Sequence, residues 1–336
     1  MRVLVTGGAG YVGCHAVDAL LRAGHEVRVY DNLELGHAGA VPLGLLIEGD
    51  LAEGDKLSDV LSEQRIDAVM HFAAYSTVGE SVTDPGRYWH NNVLGTLSLL
   101  DAMRATNVRS LVFSSTCATY GVPKKSPIAE STPQDPVNPY GMSKLTIERA
   151  LADYASAYGL GYAALRYFNA CGASPHGHLG EAHANESHLI PICLQAALGQ
   201  SESVTIFGVD YPTRDGTCIR DYIHVDDLAD AHLRALERLS PGAGLRLNLG
   251  TGRGFSVREV IDACRRVSGR EIHVEIGTRR TGDPPELVAD PSRAREVLGW
   301  TARYSEIDPI VETAWQWHVA HPAGYPDGPG AAFEHS

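Results

Sequence analysis

Arg2-Val3-Leu4-Val5-Thr6-Gly7-Gly8-Ala9-Gly10-Tyr11-Val12-Gly13 decides how the rest of this chain is read. A short apolar run leads into a glycine-rich turn. A helical pattern through Val17, Leu20 and Leu21 then ends at Gly24. Strand, glycine turn and helix in that order are the context a dinucleotide fingerprint requires. Gly7, Gly10 and Gly13 permit a tight turn, close backbone approach to a pyrophosphate, and close helix-on-strand packing. The unpaired N–H groups and the dipole at the helix start favour the phosphate charge. The next strand, Val27-Arg28-Val29-Tyr30, ends in Asp31, placed to accept from the adenosine ribose hydroxyls. No arginine directly follows Asp31 to hold a 2′-phosphate, so NAD is expected over NADP.

Outward from that unit, strand candidates at 45–48, 68–72, 111–114, 163–168 and 246–249 alternate with helical patterns. The fold class expected is α/β, a doubly wound Rossmann-type parallel sheet with a smaller α/β substrate domain. After Cys171 a loop rich in Gly, His and Pro breaks the alternation. The cofactor domain is therefore assigned to 1–170 and 231–252, and the substrate domain to 171–230 and 253–336. The stretch from His321, rich in Pro and Gly, reads as a surface extension.

Tyr140-Gly141-Met142-Ser143-Lys144 supplies the chemistry. Pro139 suits a first helical turn, the stripe Ile147, Leu151, Tyr154, Ala155 and Tyr158 follows, and Gly159 stops the helix. Residues four apart share a helix face, so the Tyr140 phenol and Lys144 ammonium can converge. A nearby ammonium lowers a phenol's pKa and fits Tyr140 to take a proton from an alcohol. The hydroxyls of Ser114-Ser115-Thr116, at a strand end, can reach the same alcohol. Phe72-Ala73-Ala74 and Tyr167-Phe168-Asn169 end two further strands, where open α/β sheets bind ligands.

A formal net charge of −13 argues against nucleic acid or an anionic membrane as partner. The six cysteines show no Cys-x-x-Cys pair and no His/Cys metal spacing, so they read as reduced and no metal is expected. No apolar run is long enough to span a bilayer, and the first residues leave no room for a signal peptide. A cytoplasmic location is the expectation.

Together these stretches resemble the extended short-chain dehydrogenase/reductase family. Asp210-Tyr-Pro-Thr213 and Arg220-Asp221-Tyr222-Ile223-His224 narrow the resemblance to the branch that epimerises UDP-hexoses. Further matches are Gly49-Asp50, Val78–Ser81, Asn91-Asn92, Arg166–Asn169, Ile206–Gly208, Gly282-Asp283 at the end of the basic run Arg279–Asp283, and His321-Pro-x-Gly-Tyr-Pro-Asp327. The resemblance implies interconversion of UDP-galactose and UDP-glucose, with a possible extension to their N-acetyl counterparts. In it, Tyr140 takes the 4-hydroxyl proton while C4 gives a hydride to NAD; a 4-keto sugar turns over and is reduced on its other face. Lys144 tunes Tyr140 and holds the nicotinamide ribose, and Thr116 orients the hydroxyl. The cofactor set so implied is Gly7, Gly10, Tyr11, Val12, Gly13, Asp31, Asn32, Asp50, Leu51, Phe72, Ala73, Ala74, Ser76, Asn91, Tyr140, Lys144 and Phe168. The substrate set is Thr116, Asn169, His188, Leu189, Phe207, Arg220, Tyr222, Arg280, Asp283 and Leu287. The resemblance further implies a homodimer formed through the Tyr140 helix and a neighbouring helix.

The chain departs from the family pattern at four positions. Thr116 stands for a common serine and keeps the hydroxyl. Ser76 stands for a lysine, His188 for an asparagine, and Leu287 for a tyrosine that narrows the sugar pocket. A 4,6-dehydratase would need an acid after Thr116, where Cys117 and Ala118 stand. A pentose or uronate 4-epimerase remains an alternative, as does a non-catalytic NAD-sensing regulator, against which the intact Thr116/Tyr140/Lys144 set speaks.

Overall fold

Seven parallel strands form the central sheet: β1 (Arg2–Thr6), β2 (Glu26–Asp31), β3 (Leu46–Glu48), β4 (Ala68–His71), β5 (Ser110–Thr116), β6 (Gly161–Tyr167) and, far later in the chain, β10 (Gly244–Leu249). Their order is β10-β6-β5-β4-β1-β2-β3, so the direction of winding reverses between β1 and β4. A computed structural model describes residues 1–280, 282–326 and 328–333. Thr281 and Asp327, which fall within two of the quoted motifs, lie outside the described residues.

Strand alternation puts apolar side chains on both faces, and both are covered. Val3 and Val5 of β1, Val112 of β5 and Leu165 of β6 share one core with Val17 and Leu20 of α1 (Tyr11–Arg22). Leu4, Leu111 and Phe113 point the other way. There they meet Leu57 and Leu61 of α2 (Gly54–Glu63), and Leu100 and Met103 of α5 (Gly95–Ala105). Ile147 and Leu151 of α6 (Pro139–Tyr158) complete that core. Each fully buried aliphatic side chain contributes about 1.5–3 kcal/mol. Two short helices, α3 (Val78–Thr83) and α4 (Pro85–Tyr88), and a π-helical turn Trp89–Leu94 lead into α5.

The second region is built from short strands. These are β7 (Asn169–Cys171), β8 (Val204–Phe207), β9 (Ile219–His224), β11 (Gly254–Ser256), β12 (Val274–Gly277) and β13 (Glu286–Leu287). β9 pairs with β7, β11 and β13, and β8 pairs with β12. Their apolar faces pack with α7 (Leu189–Ala197), α9 (Val257–Ser268) and α11 (Ile307–Ala320) around Cys193, Leu194, Val260, Cys264 and Ile310.

The chain returns to the first core earlier and more often than the sequence reading expects. α8 (Val225–Glu237) places Leu228, Ala231, Ala235 and Leu236 in the core shared with α1, so the return starts at Val225 and not at residue 231. α10 (Ser292–Leu298) and Trp300 join the same core through Ala294 and Leu298. The C-terminal stretch is not a free extension either. The Tyr325 hydroxyl accepts from the Gly180 N–H and donates to the Gly180 carbonyl, both at 2.8 Å. The Gly330 N–H donates to the Val41 carbonyl at 2.8 Å. An aromatic anchor within a Pro/Gly-rich run fastens the tail beside Cys14, Ala40 and Leu179.

Candidate active site

The glycine turn has little freedom. Gly7 lies at φ +72, and a Cβ there would sit 2.4 Å from the Ala73 nitrogen; one on Gly13 would sit 2.1 Å from the Gly7 oxygen. A Cβ on Gly10 would meet only the Gly7 oxygen, at 3.4 Å, so this glycine leaves its outer side open just where α1 begins. Tyr11 reaches away from the turn, its hydroxyl donating to the Gly172 carbonyl at 2.6 Å, and Val12 packs into the core. At the end of β2, the buried Asp31 carboxylate accepts from the N–H groups of Ala9 and Leu33 at 3.0 and 2.9 Å. Burial pushes its pKa up, and those two donors oppose the rise. Asn32 donates to Asp50 at 2.9 Å, and Leu51 packs against Gly95.

Around β4 and β5 the remaining pieces converge. Phe72 packs against the ring of His232, the Ala73 N–H donates to the Thr6 carbonyl, and Ala74 is half-buried; Ser76 is exposed. Asn91 donates to Asn92, which is wholly buried and spans Tyr75 and Ser143 of α6. Thr116 ends β5 with its hydroxyl accepting from the Ala118 N–H at 3.1 Å. Tyr140 opens α6, where Asn138 caps the Gly141 N–H at 2.8 Å. Its ring packs with Tyr75 and Tyr88.

The tyrosine's surroundings differ from the sequence expectation. Burial pushes the Tyr140 hydroxyl well above the ordinary phenol value and Tyr167 adds to the rise, while the Thr116 hydroxyl beside it pulls the other way. Lys144 is itself buried and pushed down to about 7, and its Nζ donates to the Ser114 carbonyl at 2.8 Å. Desolvation is therefore the largest influence on the phenol in this structure. One of the three Nζ donors is thus engaged, and the other two can serve ribose hydroxyls. Open space outside Gly10, a carboxylate at the end of β2 and this under-used ammonium fit a dinucleotide with free ribose hydroxyls.

A buried network that sequence reasoning did not find braces the site. Arg166 of β6 meets Glu148 of α6 at 2.5 Å, with both side chains 2% exposed. Arg166 also donates to the Tyr120 hydroxyl at 2.8 Å; Tyr120 donates to Asn248 at 2.7 Å, and Ser115 donates to Glu148 at 2.5 Å. Thr116 and Tyr140 thus sit on elements tied to each other. A charged pair inside an apolar helix and strand is the one signal for it in the sequence, with Arg166 already part of a quoted motif. Tyr75 and Tyr88 were also missed, because only the fold brings them to Tyr140.

The substrate-side candidates fall into three groups. Asn169 on β7 lies opposite Tyr222 on β9, and the two line a small cleft with His188 and Leu189 at the start of α7. Arg220, also on β9, donates to Asp283 at 2.8 Å and stands opposite Leu287 in β13. Leu287 packs with Phe168, Tyr120, Ile128 and Ala289. The exposed Arg280 guanidinium lies 4.0 Å over the ring of the exposed Phe207. A cavity of about 560 Å³ lies elsewhere, between α5 and α6 at Met103, Tyr154 and Tyr158, and none of these residues lines it.

A reversed-winding parallel sheet, a glycine turn against a carboxylate, and a buried Thr/Tyr/Lys set define a dinucleotide-dependent enzyme that works on an alcohol. The chain belongs to the NAD dependent epimerase/dehydratase family, whose model matches residues 3–250. It is 53% identical to a UDP-glucose 4-epimerase of Halalkalibacterium halodurans, over 97% of this chain and 98% of that one. The structure of a UDP-glucose 4-epimerase from Brucella ovis in complex with NAD superposes with a TM-score of 0.90 at 51% identity, covering 94% of this chain and 97% of that one. One from Bifidobacterium longum with NAD+ and UDP gives 0.91 at 38% identity, covering 97% and 100%. No helix among the described residues is long and apolar enough to cross a membrane.

Proposed function

We propose that this enzyme interconverts UDP-galactose and UDP-glucose by inverting C4 through a 4-keto intermediate. The observation that carries the reading is the Thr116/Tyr140/Lys144 constellation at the end of β5, two strands from the glycine turn, in a chain about half identical to such enzymes over nearly its whole length. When bound, NAD would supply the reversible hydride acceptor and, in its oxidised form, a positive charge. Tyr140 takes the proton of the sugar 4-hydroxyl and returns it to the opposite face of the ring. Thr116 holds that hydroxyl, and Lys144 favours the phenolate while binding ribose hydroxyls. Asp31 and Asn32 with Asp50 and Leu51 border the adenosine end. Asn169, His188, Leu189 and Tyr222 line the substrate cleft, and Arg220 and Arg280 hold the diphosphate while the sugar swings. The division at 1–170 and 231–252 against 171–230 and 253–336, extended to include α8 with the cofactor unit, separates these two roles.

The test is direct. Purified protein incubated with UDP-galactose should produce UDP-glucose, followed by NMR, with no net consumption of added NAD. Absence of product would remove the reading. We also place the enzyme in the cytoplasm, consistent with six free cysteines, and read it as a homodimer. Trp89, Leu94 and Met142 are exposed apolar side chains on the 89–94 turn and α6, and sedimentation of the purified protein should report twice the chain mass.

Asp31 sets cofactor choice. A 2′-phosphate roughly 4 Å from this carboxylate would be repelled by about 4 kcal/mol at an effective dielectric of about 20. NADP is therefore expected to support less than about a tenth of the activity seen when cofactor-free protein is reconstituted with NAD. Equal activity with either cofactor would count against the role given to Asp31.

Leu287 sets substrate range. A tyrosine there would fill space beside the sugar's 2-substituent, whereas leucine leaves part of it open. Overpacking a tight site costs roughly 1–3 kcal/mol. UDP-galactose should be preferred, with measurable turnover of UDP-N-acetylgalactosamine. Leu287→Tyr should abolish the second activity and spare most of the first. If the wild type shows no N-acetyl turnover even at a large excess of enzyme, the pocket is closed by other residues.

A further inference from the structure

Glu181, His183, Glu186 and His188 stand in the His-rich loop between β7 and α7, and one donor atom from each lies within 4.8 Å of the others. Both carboxylates are buried, with side-chain exposures of 3% and 5%, while the imidazoles are 34% and 42% exposed. Among the described residues, the ion-pair partners of both carboxylates are these two imidazoles alone. Glu186 Oε1 also accepts from the Ser187 and His188 N–H groups at 2.7 and 2.8 Å, and two buried carboxylates side by side still favour positive charge between them. Here the two imidazoles sit against them, and a single divalent cation would supply positive charge at the same place.

The donor geometry already approaches that of a cation site. His183 Nδ1 lies 3.2 Å from Glu181 Oε1 and 3.4 Å from Glu186 Oε2, and His188 Nδ1 lies 3.5 Å from Glu186 Oε1. A tetrahedral Zn²⁺ with bonds of about 2.0–2.2 Å separates its donors by about 3.3–3.5 Å. The His188–Glu181 contact, at 2.5 Å, must open by roughly 1 Å to meet that spacing, and the four donors, all within 4.8 Å of one another, must settle around one point. Nothing in the proposed epimerisation uses His183, Glu181 or Glu186.

We propose that Glu181, His183, Glu186 and His188 form a binding site for a divalent transition-metal ion, Zn²⁺ by its mixed nitrogen and oxygen donor set. On binding, each imidazole releases its Nδ1 proton to solvent and gives that lone pair to the metal. Each ring keeps its Nε2 proton, and the carboxylates bind as they stand. The exposed imidazole edges leave the site open on one side. His188 also lines the cleft of Asn169 and Tyr222, so the ion sits at the rim of that cleft.

The experiment is a titration of the untagged holoenzyme with Co²⁺ alone, followed by visible absorption. The expected result is the intense spectrum of a four-coordinate Co²⁺ that saturates at one equivalent and is bleached by Zn²⁺. His183→Gln and Glu186→Gln each remove one ligand and should weaken binding by at least ~10–100-fold, the loss seen even for outer partners of a metal. Both variants should be shown to be folded by retention of bound NAD. A wild type without that spectrum overturns the proposal, and so does a folded variant that binds Co²⁺ as tightly as the wild type.

Discussion

Tyr140→Phe should lower the turnover of UDP-galactose by at least ~10²-fold while the fold and NAD binding persist, the usual scale for a lost general acid/base. The phenyl ring keeps the packing with Tyr75 and Tyr88, so little else changes. The structure sharpens this expectation, because burial among those rings holds the phenol protonated unless something positive stabilises its anion. Two positive charges can serve, the oxidised nicotinamide and Lys144. In Lys144→Ala the limb of the rate profile that rises with pH should therefore move to higher pH. The difference from wild type should be largest at and below about pH 7, where a Lys144 pushed down to about 7 still carries its proton. Near-normal turnover by Tyr140→Phe at neutral pH would take the base away from this residue.

Glu148→Gln should cost about 3–5 kcal/mol of stability, the range for removing one partner from a buried ion pair. The loss is large because Arg166 would keep its charge in a place where water cannot reach it, with only the Tyr120 hydroxyl and the new amide for company. Urea unfolding of wild type and variant, with the midpoint shift converted through the slope, measures it. A change below about 1 kcal/mol would mean that Arg166 finds other partners and that the network is not a brace. Replacing Glu148 and Arg166 together by apolar residues should recover much of the loss, as buried pairs often can be replaced without penalty.

Much of the cofactor side could be read from residues alone, because its signals are local. The glycine turn, Asp31 at the end of the next strand, and Tyr140 four positions from Lys144 each need only a dozen residues to be seen. Pro139 and Gly159 bracket α6 as expected, with Gly159 in the left-handed conformation at φ 73. Tyr158, counted in its apolar stripe, is exposed. The substrate side was far less legible. Its strands are two to six residues long and are held by partners far away, as when Glu286 and Leu287 pair with Ile219 and Arg220. A two-residue strand carries no periodicity. The burial that pushes the Tyr140 pKa up was not legible for the same reason, since the rings packed on it come from positions 75 and 88, and Tyr167, whose charge adds to the rise, from β6. The four-residue His/Glu cluster was passed over because its spacing is not one that His/Cys metal motifs use.

The place of β10 in the central sheet also bears on how the protein is made. β10 lies beside β6, yet the chain must be synthesised from Tyr167 to Gly244 before the two can pair. At about 5–20 residues per second that interval lasts roughly 4–15 s. Throughout it, a nascent chain still on the ribosome presents β6 as an open sheet edge, with Ala163 and Leu165 not yet covered by the late-arriving α8. An unpaired apolar edge is a site for pairing with another chain. Chaperone demand and loss to aggregates during overexpression should therefore depend on how quickly translation passes through the segment between these two strands.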